Sequence, residues 1–110
     1  MKLPNGDLAI VDVRKLRNYC LSPAHRYGRH KARLFANALG LTMAKTDLLF
    51  SALLVAARER DAIATRNNGF GQIYEIEFDM TGPRGSATIL SVWIILGGEE
   101  IPRLVTCYPV

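Results

Sequence analysis

Two spacings of hydrophobic residues divide the chain. In the first 60 residues the apolar side chains recur every three or four positions, which is the spacing of one face of an α-helix. From residue 72 onward apolar and polar side chains alternate instead, which is typical of half-buried β-strands. The change of period predicts a helical part over residues 12–60 and a β-meander over residues 72–108.

The helical part contains signals for three helices. The first begins after Asp12, a good N-cap residue, and ends before Pro23, because the residue preceding a proline disfavours helical dihedrals. The second spans residues 29–39 and is followed by Gly40, where a glycine cap in the left-handed conformation belongs. The third extends to about residue 60 and has the clearest helical spacing of the three.

The second part contains signals for three strands, at residues 72–80, 86–96 and 103–108. Residues 65–71 are rich in asparagine and glycine and are predicted to form a loop. A fourth strand would have to come from residues 8–11. This order predicts an α+β fold, with three N-terminal helices packed on one face of an antiparallel three- to four-stranded sheet.

Length and composition favour one domain over residues 1–110. With 49% hydrophobic residues the chain can build a core without metals or disulfides. Its cysteines, Cys20 and Cys107, fit no metal-binding spacing and are expected to be buried small side chains. No apolar run is long enough to span a bilayer, and the N-terminus lacks the apolar core of a signal peptide, so a cytoplasmic protein with no membrane partner is expected.

The charges are distributed unevenly. Between Val13 and Thr46 there is no acidic residue, yet this segment holds eight of the fourteen basic residues and both histidines. A concentrated basic segment attracts polyanions, of which nucleic acid is the commonest in a cell. We therefore expect RNA as a partner, together with a small acidic protein that could cover the basic face.

The densest part of this segment is the start of the predicted second helix. Arg29 and Arg33 could hold a phosphate, and His30, or less favourably His25, could act as a general acid or base beside Lys31. RNA cleavage by its own 2′-hydroxyl needs a base, an acid and cations around the phosphorane, without a metal. No phosphate-loop or dinucleotide motif is present, so no cofactor is expected.

A second candidate is the last predicted strand, where Thr106 and Tyr108 place two hydroxyl groups on one face. They could position a phosphate beside the basic cluster, so that His30 and Thr106 would line one open cleft. A plainer interpretation fits both features. A basic helix end is often only a solvated face, and threonine and tyrosine are good strand formers.

The chain resembles an uncharacterised bacterial domain family over nearly its whole length. The resemblance is carried by the segments Gly28-Arg29-His30-Lys31-Ala32-Arg33-Leu34-Phe35 and Pro102-Arg103-Leu104-Val105-Thr106-Cys107-Tyr108. It implies a toxin-like context, in which such domains occur as stand-alone proteins beside small neighbours or as C-terminal domains of larger secreted or phage-related proteins.

More loosely, the arrangement is similar to the barnase, EndoU, colicin and RelE class of metal-independent ribonucleases. The likeness places His30, Lys31 and Arg33 on a helix, and Thr106 with Tyr108 on the last strand, in the roles that this class gives to such residues. The predicted function is a toxin-like ribonuclease that cleaves RNA by transesterification, with an antitoxin or immunity-type partner. The alternative is a non-catalytic interaction module whose basic face binds an acidic protein or nucleic acid.

Overall fold

A computed structural model describes residues Met1–Val110 and confirms the α+β architecture. The helical elements are a 3-10 turn at Gly6–Leu8, α1 at Val13–Lys15 continued by a π-helical turn at Leu16–Cys20, α2 at Arg29–Leu39, a 3-10 turn at Met43–Lys45, and α3 at Thr46–Glu59. The helices are not all at the N-terminus, because α3 extends past the middle of the chain.

Four strands form one antiparallel sheet in the order β1-β2-β3-β4. They are β1 at Ile63–Asn67, β2 at Gly71–Thr81, β3 at Ser86–Leu96 and β4 at Arg103–Pro109. The long β2–β3 hairpin forms the centre of the sheet, and β1 and β4 are its two edges. The prediction allowed three or four strands, and the chain forms four.

One face of the sheet carries the core. Phe78 of β2 pairs with Ile89 of β3, and both are buried together with Trp93, Phe35 of α2 and Leu53 of α3. The opposite face carries Glu77 and Asp79 and is partly open to solvent, as the alternation in β2 predicted. No single helix is long and apolar enough to cross a membrane. Helices α2 and α3 reach the required length and apolar character only when they are counted together, and they meet at a bend of 70°.

A buried serine accepts the hydrogen bond of the indole N–H of Trp93, the only tryptophan in the chain. The Ser91 hydroxyl donates to the carbonyl of Ile76 at 2.9 Å and accepts from Trp93 Nε1 at 2.9 Å. Both Ser91 and Trp93 are fully buried. An unpaired indole N–H in that position would cost about 1–3 kcal/mol, so the serine fixes the tryptophan ring in one orientation beneath the sheet.

The fourth strand is not the one that the sequence suggested. Strand β1 overlaps the predicted loop at residues 65–71, and all five of its residues are exposed. An edge strand with no buried face has no alternation of apolar and polar residues to reveal it. The segment at residues 8–11 makes only one parallel bridge, between Ile10 and Arg103.

The first helix is shorter than predicted and ends in a wider turn. Asp12 caps it as expected, since its side chain accepts from the backbone N–H of Arg14. After Lys15 the chain enters the π-helical turn, in which the N–H of Leu21 bonds to the carbonyl of Leu16 at 2.8 Å. Such turns are frequent at functional sites, because the extra residue redirects the neighbouring side chains.

Candidate functional site

The N-terminus of α2 is fastened to the π-helical turn. Gly28 packs directly against the backbone of Tyr19, and a Cβ at Gly28 would collide with the carbonyl group of Tyr19. Only glycine therefore allows this approach. Helix α2 has the bounds predicted from the sequence, and Gly40 ends it in the left-handed conformation, with φ of 71°.

The His25 side chain closes the turn that leads into this helix. Its Nδ1 accepts from the backbone N–H groups of Tyr27, at 3.0 Å, and Gly28, at 2.9 Å. Its ring meets the Tyr19 ring edge to face, with centroids 4.7 Å apart. A neutral imidazole with Nδ1 as acceptor carries its proton on Nε2. The ring therefore presents an N–H donor at Nε2.

Lys31 joins three parts of the fold. Its Nζ donates to the Tyr19 hydroxyl at 3.2 Å and lies 5.1 Å from the centroid of that ring. It also lies 5.6 Å from the ring centroid of Tyr108 on β4. No carboxylate pairs with Lys31, so its charge is balanced only by aromatic faces and one phenol oxygen.

A buried polar cluster lies behind these groups. The Thr106 hydroxyl is inaccessible to solvent and has no hydrogen-bond partner. It lies beside the Cys20 thiol, which faces Cys107, and both cysteines are buried and free, as the sequence predicted. Hydrogen bonding from Cys107 lowers the pKa of Cys20 against the opposing effect of burial, and the charge of Lys31 lowers it further. The same bond to Cys20, together with burial, raises the pKa of Cys107.

An open cleft of about 710 Å³ lies in front of this cluster. We call it the His25 cleft, and its lining residues are Asp12, Arg14, Lys15, Asn18, Tyr19, His25, Val105 and Thr106. Its only carboxylate, Asp12, is paired with Arg14 at 3.0 Å, and that bond lowers the pKa of Asp12. Lys15 bonds to the carbonyl of Leu104 at 3.3 Å and has no acid partner. The cleft therefore carries net positive charge.

The structure divides the predicted site residues into two groups and one outlier. His25 and Thr106 line the His25 cleft, and Lys31 and Tyr108 adjoin it through Tyr19. Arg29 and Arg33 line a different cavity, on the other flank of α2. His30 is exposed and lines neither cavity.

The expectation that His30 and Thr106 share one cleft was therefore wrong. Consecutive helical residues point about 100° apart, so Arg29, His30 and Lys31 cannot face one ligand. The histidine in the cleft is His25, which precedes the helix. Sequence reasoning also missed Tyr19 as a residue of the cleft. The only available signal was that its phenol carries a polar group.

The fold and cleft define a small α+β domain with a cationic cleft between a π-helical turn and an edge strand. The chain belongs to the family described as Domain of unknown function (DUF6883), whose model matches residues 2–110. The resemblance to a family without established activity is thus confirmed. Bacterial origin, toxin context and likeness to ribonucleases stay predictions. No curated protein matches the chain. No solved structure matches it either.

We expect His25 to contribute to stability through this turn. Replacing His25 with alanine removes the acceptor of two N–H groups in the turn before α2 and should lower the free energy of unfolding by about 1 kcal/mol, the usual net contribution of a hydrogen bond. His25→Asn keeps an acceptor and should recover part of the loss. Urea denaturation measures both, with His30→Ala as the control because that side chain is exposed. Equal losses for His25→Ala and His30→Ala would contradict this role.

Proposed function

We propose that this domain binds RNA in the His25 cleft and cleaves it by metal-independent transesterification. The observation that carries the proposal is the contact between Lys31 Nζ and the Tyr19 hydroxyl, 3.2 Å apart, at the wall of a cationic cleft. A phenol paired with an unneutralised ammonium can release a proton to a leaving group. The ammonium then offsets the charge left on the phenol oxygen.

The roles in the reaction follow from the geometry. The 2′-oxygen of the substrate attacks the adjacent phosphorus while its proton passes to water, and the bond from phosphorus to the 5′-oxygen breaks. Tyr19 gives its proton to that 5′-oxygen, with Lys31 stabilising the phenol oxygen. His25 would donate through Nε2–H to a phosphate oxygen, because its Nδ1 already accepts from two backbone N–H groups.

The proposal therefore moves proton transfer away from histidine. His30 has no part in it, since it lies outside the cleft, and Arg29 with Arg33 belongs to another cavity. On β4, Tyr108 would hold Lys31 in place, whereas Thr106 only contributes to the cleft wall, because its hydroxyl is buried and cannot reach a substrate phosphate. Substrate phosphates would contact Lys15, Lys31 and the exposed Arg26, which follows His25 in the chain.

One observation favours the second candidate, a non-catalytic module that binds RNA or an acidic protein. The Nδ1 of the only histidine in the cleft is occupied by two backbone N–H groups of the turn that precedes α2, so this nitrogen does not face a substrate. In that case the same cationic surface would bind without cleaving. Of the eight basic residues in the acid-free segment, only Arg14 has an acid partner, which leaves seven cations for such a partner.

The test is incubation of purified protein with structured RNA in EDTA. We expect discrete fragments that end in a 2′,3′-cyclic phosphate, because the 2′-oxygen forms that bond before water can enter. Intact RNA together with measurable RNA binding would reject cleavage and support the module. Neither cleavage nor binding of RNA, with tight binding to an acidic protein, would reject the RNA proposal altogether.

A further inference from the structure

A second cavity lies on the opposite flank of α2 from the His25 cleft. Its volume is about 430 Å³, which falls in the range of small-molecule sites. The walls come from the first half of α2, from the segment at residues 21–23 and from the segment at residues 41–44. We call it the Arg29–Arg33 cavity.

The lining is aliphatic and contains no aromatic ring. Its apolar surface comes from Leu21, Ala32, Ala36, Leu41 and Met43. The small side chains of Ala32 and Ala36, four residues apart on one face of α2, leave the space open. Without an aromatic platform, a nucleobase would have nothing to stack on, so a saturated carbon chain matches these walls better.

Two arginines line this cavity, and no acidic group neutralises either charge. Arg29 and Arg33 are exposed, and neither forms an ion pair or a side-chain hydrogen bond. Being four residues apart, they repel one another, and they lie in the first turns of a helix, where the macrodipole disfavours cations. No carboxylate lines the cavity. An anionic oxygen group placed between the two guanidinium forks would relieve both repulsions.

We infer that the Arg29–Arg33 cavity binds a small anionic amphiphile, a molecule with an aliphatic body and a carboxylate or phosphate head. The aliphatic walls would take the body, and the two arginines would take the head. This site is independent of the cleavage proposed above, because the two cavities share no lining residue.

Calorimetric titration with four probes below their micellar range tests the inference. Octanoate and octyl phosphate should each bind one site per chain, and the tighter of the two identifies the preferred head. Octylamine carries the same body with the opposite charge, and acetate carries the head without the body. Both should bind at least about tenfold more weakly, since each loses one of the two interactions.

Variants separate the two interactions. The double variant Arg29→Gln with Arg33→Gln should reduce octanoate binding to the level of octylamine. Ala36→Leu should abolish octanoate binding by filling the cavity. Arg66→Gln, on the exposed edge strand β1, is the control for loss of an exposed arginine outside the cavity and should bind octanoate like the wild type.

Two results would overturn the inference. One is equal binding of octanoate and octylamine by the wild-type protein. The other is an affinity for octanoate that the double arginine variant leaves unchanged. Both arginines are exposed, so this variant decides the matter even if Ala36→Leu does not fold.

Discussion

Replacing Tyr19 with phenylalanine should lower the rate of RNA cleavage by about 10²–10⁴-fold, the usual contribution of a positioned acid or base. The change removes only the hydroxyl that bonds to Lys31 at 3.2 Å. The ring stays, and so does its contact with the ammonium of Lys31. RNA affinity should therefore change little, because the cations that hold phosphate are untouched. Single-turnover cleavage and equilibrium binding, measured on the same RNA, separate the two effects.

His30→Ala is the informative comparison for this variant. His30 lies outside the His25 cleft, so its removal should leave the cleavage rate close to that of the wild type. Full activity in Tyr19→Phe, with loss of activity in His30→Ala, would reverse our assignment and restore the histidine that the sequence favoured.

RNA affinity should fall roughly twentyfold between about 50 mM and about 200 mM salt, given about three phosphate contacts on a single strand. The three contacts are those of Lys15, Arg26 and Lys31, none of which has an acid partner. Each neutralised phosphate releases its counterions, and added salt opposes that release. Fluorescence anisotropy with a labelled oligonucleotide across a salt series gives the slope.

Replacing Lys31 should reduce the salt dependence of RNA affinity by a calculable fraction. Lys31→Met keeps most of the packing against Tyr108 but removes one charge, so the slope should shrink by about one third. Arg66→Gln removes a charge from β1, at the sheet edge opposite β4, and should leave the slope unchanged. An affinity that does not respond to salt would argue against an electrostatic interface of any kind.

Local signals made much of the fold predictable. Helix α2 was bounded correctly because a glycine cap ends it and a clear apolar face runs along it. The β2–β3 hairpin followed from strict alternation, as in Phe78 and Met80. Strand β1 was missed because pairing with β2 alone holds it in place, and backbone pairing leaves no mark on side-chain polarity.

The candidate site was only half predictable from the sequence. The acid-free segment supplies part of the cleft, and the predicted residues His25, Lys31, Thr106 and Tyr108 lie close together there. Which histidine enters the cleft depends on how the start of α2 packs against the π-helical turn, where Gly28 lies directly against the backbone of Tyr19. Contacts between distant segments of this kind have no periodic signature, so sequence spacing could not choose between His25 and His30.

The way in which Lys31 bridges the fold has a consequence for synthesis. The ribosome synthesises Tyr19 and Lys31 well before Thr106 and Tyr108. The latter two lie on β4, which follows all the other helices and strands of the domain. Until β4 adds to the edge of β3, the ammonium lacks its second aromatic face and the cleft lacks one wall. Under the proposed mechanism, the emerging chain would therefore carry Tyr19 and Lys31 without the geometry that cleavage needs until its last strand has docked.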